Sequence, residues 1–223
     1  MVLHWALEAL CVLPLLNSQN PACTNVTAMP ITSATLDWLT RRWFFIASAF
    51  RKPEYKQGAQ EMQAEFIYFD TRPREDKLWV REHMTIGGRC TQNSTILSVH
   101  RENGTFSKTE GNRENFGHLL LLRDPRSFML AFFLEDEHNR GPSFYADAPE
   151  ASSEPLEEFR EAIRCVGLRT SEILCVDWKK VILGLASEIC HTSKCVLLGT
   201  AGDTDLPEGR PPPQPRKKFV HIF

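Results

Sequence analysis

Between Arg42 and Asp147 the apolar and polar positions fall into short β-rich runs divided by turn-formers, the spacing of an all-β barrel or sandwich. The runs are Trp43 to Arg51, Met62 to Asp70, Lys77 to Ile86, Thr95 to Arg101, Thr105 to Thr109, Phe116 to Arg123, Phe128 to Glu135 and Ser143 to Ala146. Eight strands suffice to close a small barrel. Gly87-Gly88, Glu102-Asn103-Gly104, Gly111-Asn112, Asp124-Pro125 and Asn139-Arg140-Gly141-Pro142 supply turn residues between them, and connections this short favour antiparallel neighbours. One helix follows. Ser152 or Ser153 caps it, Glu154, Glu157 and Glu158 enrich its first turns, Leu156, Phe159 and Ile163 form one apolar stripe, and Gly167 ends it. A one-sided stripe places it on an outer wall. No internal repeat points to a propeller or solenoid.

Within the run Lys77 to Ile86, alternate side chains point to opposite faces. Leu78, Val80, Glu82, Met84 and Ile86 share one face; Lys77, Trp79, Arg81, His83 and Thr85 share the other. Glu82 therefore stands on the apolar side. A carboxylate there is costly in a packed core, but lining a partly hydrated cavity it can stay ionised and attract a cation. The alternative is that it pairs with an interior Lys or Arg. Aromatic residues crowd the same strands: Phe44, Phe45, Phe50, Phe66, Tyr68, Phe69, Phe128, Phe132, Phe133, Phe144 and Tyr145. Such side chains can wall a lipophilic cavity or simply fill a β core.

The N-terminus changes the reading of the cysteines. Val2 to Leu16 is largely apolar, broken by His4, Glu8 and Pro14, and too short to span a bilayer as a helix. With the small Ser18 before Gln19 it reads as a cleaved signal peptide covering residues 1–18, although the usual positive n-region residue is missing. No later run is long and apolar enough for a transmembrane segment, so the mature chain is expected to be soluble. Export leaves Cys23, Cys90, Cys165, Cys175, Cys190 and Cys195 in an oxidising compartment, spaced unlike a zinc ribbon or a redox CxxC pair. Three sequons begin at Asn25, Asn93 and Asn103, each a candidate glycosylation site.

The organisation that follows is a signal over residues 1–18, one domain over 19–180, and a divergent, flexible tail over 181–223. The proline-rich stretch Arg210 to Lys218 in that tail denies itself a ladder or helix and reads as a linker or as a polyproline ligand.

A net charge of -2 gives no basic footprint for nucleic acid. No nucleophile elbow, HExxH or phosphate loop is present, so neither an enzyme nor a bound cofactor or metal is expected. Cys175 could be a free thiol, but nothing around it in the sequence is electropositive enough to activate it.

Specific segments then carry a resemblance. Leu36 to Arg51 is similar to the first lipocalin signature, Tyr145-Ala146-Asp147 to the second and Leu122-Arg123-Asp124 to the third. Pro30-Ile31-Thr32, Ile46 to Arg51, Arg101 to Thr105, Met129 to Phe132 and Asp177 to Lys180 resemble the alpha-1-acid glycoprotein (orosomucoid) branch of that family. The likeness covers the signal and Gln19 through Lys180.

It implies an eight-stranded antiparallel up-and-down lipocalin barrel with one flanking C-terminal helix, closed at one end and open at the other. It also implies a cation–π contact of Trp43 with Arg123 at the closed end. Arg41 departs from the family, many members of which carry Gly there. The ligand-binding positions implied are Phe50, Tyr55, Ile67, Glu82, Met84, Lys108, Leu130, Phe132, Ser143 and Tyr145. Ile67, Met84 and Lys108 replace an aromatic, a glutamine and an arginine of the familiar relative.

The implied ligands are small lipophilic and basic molecules, drugs and steroids among them, carried by a secreted, monomeric plasma protein with a part in immune modulation and the acute-phase response. Gln19 becomes a modified N-terminus. The resemblance further implies a bridge between Cys23 and Cys165. The family partner of Cys90 falls in Val181-Ile182-Leu183, leaving Cys190 or Cys195 as candidates, and the change after Lys180 reads as an alternative C-terminus. Two rivals remain: a glycoprotein whose glycans carry the activity, and an unstable variant retained in the endoplasmic reticulum because Cys90 is orphaned.

Overall fold

The computed structural model of the chain describes residues 28–72, 75–133, 138–178, 188–191 and 194–197. The expected signal, Gln19, Cys23 and Asn25 lie outside the described residues, as does most of the segment after Trp178.

Eight strands, each antiparallel to its sequence neighbour, run β1 (Arg42–Ser48), β2 (Met62–Arg72), β3 (Lys77–Ile86), β4 (Arg89–His100), β5 (Thr105–Glu110), β6 (Arg113–Leu121), β7 (Ser127–Phe132) and β8 (Gly141–Ala146). β1 closes the barrel by pairing on one side with β8 and on the other with β2. The closure is asymmetric. The first half of β1 pairs with β2 (Arg42↔Tyr68, Phe44↔Phe66), whereas its end pairs with a two-residue strand, β9 (Leu174–Cys175). Gly87 and Gly88, at φ of 57° and 74°, make the two-residue β3–β4 turn, whose twist matches that of the paired strands only when both central residues have positive φ.

Among the strand boundaries that differ from those read in the sequence, two have a clear physical cause. β1 ends at Ser48 rather than Arg51, because the backbone must turn before Pro53, the first residue of α2 (Pro53–Glu61). β4 begins at Arg89 rather than Thr95: its polar first half pairs with β3 alone, only Ser98 to His100 meet β5, and so little of it needs to be apolar.

Two short helices escape the sequence pattern. α1 (Ser33–Leu39) opens with a reciprocal cap between Thr32 and Thr35 and buries only Leu36 and Leu39; α2 buries only Tyr55 and Ala59. Neither is long enough to show a periodic stripe. The predicted amphipathic helix is α3 (Ser153–Cys165). Its Phe159, Ala162 and Ile163 lie on the outer wall against Phe144, with the Phe144 and Phe159 rings stacked 5.4 Å apart.

Trp43, Trp38 and Phe128 fill the barrel end beside α1, with Trp43 centroids 4.8 Å from each partner ring. Their polar atoms are matched: Trp43 Nε1 donates to Leu39 O and Trp38 Nε1 to Pro125 O. The cation over Trp43 is Arg41, at 5.3 Å, not Arg123. Arg123 turns instead to α3, where it pairs with Glu158 at 2.5 Å. Arg41, the departure from the family glycine, also lies over Trp38 and faces Asp147 at 3.9 Å.

Within the segment expected to be a flexible tail, β10 (Glu188–His191) and β11 (Lys194–Leu197) pair as a hairpin, and β10 lies beside β3 and β4.

Candidate functional site

The inward face of the barrel collects residues that the ladders place opposite one another. Ile67 pairs with Glu82, Glu82 with Asn93, Leu130 with Ser143, and Phe128 with Tyr145. Directly paired residues point to the same side of a sheet, so one apolar anchor fixes the direction of its polar neighbours. Ile67, Met84, Leu130, Phe132, Phe50, Tyr55 and Tyr145 all belong to the interior apolar cluster. Glu82 and Ser143 are buried beside them, and Lys108 is half-buried on β5. The opposite face of β3 points outward, with Trp79 37% exposed.

Glu82 is 2% exposed. Asn93 Nδ2 donates to its Oε2 at 2.7 Å. Burial raises the Glu82 pKa above the ordinary carboxylate value, while the Asn93 bond and the Lys108 charge oppose that shift. Glu82 is thus the carboxyl of this interior best equipped to carry a negative charge.

A second interior carboxyl was overlooked in the sequence. Glu65, also 2% exposed, pairs with Met84 and so sits diagonally from Glu82 on the β2–β3 ladder. It alternates with Ile67 and Phe69, two members of the interior cluster, and that alternation was the signal that could have found it. Burial first, and the neighbouring Glu82 second, hold its pKa well above the usual carboxylate range.

Across the barrel, the Tyr145 phenol is pushed far up by burial, then by Glu65 and Glu82, and so stays protonated. The Ser143 hydroxyl lies near enough to ease the shift slightly. Yet the hydroxyls of Ser48, Ser143 and Tyr145 are all buried with no partner at hydrogen-bonding geometry. Buried hydroxyls are normally satisfied, and three unmatched in one interior are available to the polar groups of a guest molecule.

Aromatic rings gather at the α2 end. Tyr55 lies 5.6 Å from Phe50 and stacks on Phe133 at 5.9 Å, with Lys52 over it at 4.8 Å. Phe132 lies across Gly117, where a Cβ would come within 2.9 Å of its ring, so the ring's position depends on that glycine. This arrangement combines an apolar wall, acidic groups and uncharged donors, the composition of a small-molecule site.

The other predicted positions fall apart in space. Asn103 is exposed in the β4–β5 turn, accessible to a glycan. Asn93 is half-buried, with its amide engaged by Glu82. Cys165 and Cys90 are disulfide-bonded, their partners falling outside the residues whose side chains are described. An orphaned Cys90 is therefore not what the structure contains. Among the described cysteines Cys175 is free; burial raises its thiol pKa, the opposite of what a nucleophile needs. A separate cleft of about 270 Å³ lies outside the barrel beside the start of α3, lined by Asp124 and Arg126, which already bond one another.

A sequence profile of the lipocalin / cytosolic fatty-acid binding protein family matches residues 40–180, the span of the barrel and α3. The chain belongs to the lipocalin family. This lipocalin is 53% identical over 180 residues to the alpha-1-acid glycoprotein of Oryctolagus cuniculus, a match covering 81% of this chain and 90% of that one. It is 51% identical to alpha-1-acid glycoprotein 1 of Mus musculus, over 81% and 87% of the two chains. To the alpha-1-acid glycoprotein of Bos taurus it is 48% identical, over 82% and 92%. Among solved structures it resembles lipocalin 12 from rat epididymis, with a TM-score of 0.55, 15% identity, and coverage of 67% of this chain and 89% of that one. The siderocalin Ex-FABP gives 0.53 at 13% identity, over 62% and 93%. These two likenesses show the fold alone. The alpha-1-acid glycoproteins add the branch, and place this lipocalin among ligand-binding proteins.

Proposed function

We propose that the chain is a secreted carrier that holds lipophilic molecules, basic and neutral, inside the barrel. Glu82 is the observation that carries the reading: a carboxylate held by Asn93 and faced by Lys108, yet surrounded by Ile67, Met84 and other apolar interior residues. The ring-lined end around Phe50, Tyr55 and Phe132 would cover the apolar part of a guest, while Glu82 attracts an ammonium group. Drugs and steroids are the ligand classes of this reading. Burying apolar ligand surface at roughly 25 cal/mol per Å² leaves ample drive for micromolar binding after association costs.

The kinship with alpha-1-acid glycoproteins supports secretion into plasma and a part in modulating immune activity during the acute-phase response. Exposed Asn103 favours a second reading in which glycans carry that modulation, and deglycosylation separates the two, because carriage survives it. The test of carriage is displacement of a fluorescent hydrophobic probe by a lipophilic amine. Wild type should bind both, and Glu82→Gln should lose roughly ten- to hundredfold in amine affinity, the worth of a charged hydrogen bond. Equal amine affinity in the two proteins would remove Glu82 from the site. Intact mass and disulfide mapping of medium from secretory cells checks export, the glycans and the tail together.

A further inference from the structure

We infer that Glu65 is a second acidic group of the ligand site, and that the barrel takes up a lipophilic amine in exchange for a proton held between Glu65 and Glu82. The inference rests on the carrier reading above and adds to it a second acidic group and a pH response.

The geometry comes from the ladder. Glu65 pairs with Met84, and Glu82 lies two residues before Met84 on the same strand, so the two carboxyls are diagonal neighbours on one face. Side chains so placed are about 7–8 Å apart at their bases, within reach of each other for residues as long as glutamate. Both are 2% exposed. Two carboxylates buried this close cannot both ionise without compensating charge.

Among the described residues the compensating charge is enough for one. From β5, Lys108 acts on Glu82. β4 contributes the uncharged Asn93, and β8 the Tyr145 phenol, which remains protonated. On β1 the interior residues Trp43 and Phe45 carry no charge, and α2 turns Tyr55 and Ala59 inward. Arg81 and His83 stand on the opposite face of β3 from Glu82. Glu82, with the Asn93 amide and the Lys108 charge beside it, is therefore the partner that ionises, and Glu65 the one that keeps a proton.

An ammonium group entering this interior brings the second positive charge. The Glu65 carboxyl then releases its proton to solvent, and the resulting carboxylate faces the cation. A neutral ligand supplies no such charge and releases nothing. Acid reverses the exchange, because protons then compete with the amine for the same oxygens.

The test uses the full chain with decylamine and 1-decanol, matched in apolar length and differing in charge. Calorimetric titration at pH 7.4 in phosphate and in Tris, whose ionisation heats differ, reads the protons released per ligand. Decylamine remains an ammonium at this pH, so any proton comes from the protein. Wild type should release about one proton on binding decylamine and none on binding decanol, and Glu65→Gln should abolish the release. As pH falls from 7.4 through the range in which binding releases a proton, wild-type affinity for decylamine should fall by up to about tenfold per pH unit while that for decanol stays level, a readout that needs no variant. Binding of both ligands without proton release, or release that persists in Glu65→Gln, overturns the exchange and leaves the carrier reading standing. Binding of neither ligand overturns both.

Discussion

The two halves of the barrel interior use polar groups in opposite ways. At the end beside α1, Trp38, Trp43 and Phe128 pack ring against ring and every indole N–H has a carbonyl. Arg41 lies across the two indoles and faces Asp147. Beyond those rings, starting from Tyr145, which stacks on Phe128, the residues Glu65, Glu82, Ser48, Ser143 and Tyr145 are equally buried, yet the three hydroxyls lack a partner and the two carboxyls disfavour each other's charge. A satisfied region of this kind contributes stability; an unsatisfied one costs stability and offers binding groups in return. The difference assigns closure to one half and recognition to the other.

The largest effect belongs to the closed half. Trp43→Ala should lower unfolding free energy by about 3–5 kcal/mol, measured as a denaturant midpoint, since it removes a fully buried ring touching two others. A loss below about 1 kcal/mol would mean that the end is not packed as described.

The recognition half should respond in the opposite direction. Folding raises the Glu65 pKa, so above the ordinary carboxylate value of 4.5 the folded chain holds a proton that the unfolded chain has released. Stability then falls as pH rises through that window, up to the folded pKa. Glu65→Gln should remove the dependence, raising Tm by a few degrees at neutral pH, with the gap closing as pH drops through about 4.5. A variant melting below wild type at pH 7 would contradict the assignment.

Arg41→Ala should cost roughly 0.5–1 kcal/mol, the worth of an exposed cation–π contact, and leave ligand affinity unchanged. A change in affinity would couple the two halves. The smallest effect is that of Tyr145→Phe, which deletes an unpartnered hydroxyl and should leave thermal stability within about 1 kcal/mol of wild type or slightly above it.

Much of this is legible in the sequence. The alternation in Lys77 to Ile86 put Glu82 on the same side as Leu78 and Val80, and the ladder keeps it there. Turn residues marked the connections, and the stripe of α3 marked the outer wall. Glu65 is legible by the same rule, since it alternates with Ile67 and Phe69, but an acid among aromatics gives a weaker signal than one in an aliphatic run. The contact at Trp43 was not legible. Arg41 and Arg123 are both near candidate ends of strands, and only the packing of α3 against Arg123 decides that Arg41 takes the rings. The helices α1 and α2 were also invisible, because each buries just two side chains.

By itself the sequence determined what is local: strand direction, the facing of each side chain, the turns, and the family to which the signatures point. Side-chain facing follows from a backbone period of two residues and needs no partner strand. Only the tertiary structure decided which charges meet. Closing β1 onto both β2 and β8 brings Tyr145 within the field of Glu65 and Glu82, and a field between distant chain positions exists only once the barrel has closed and excluded water.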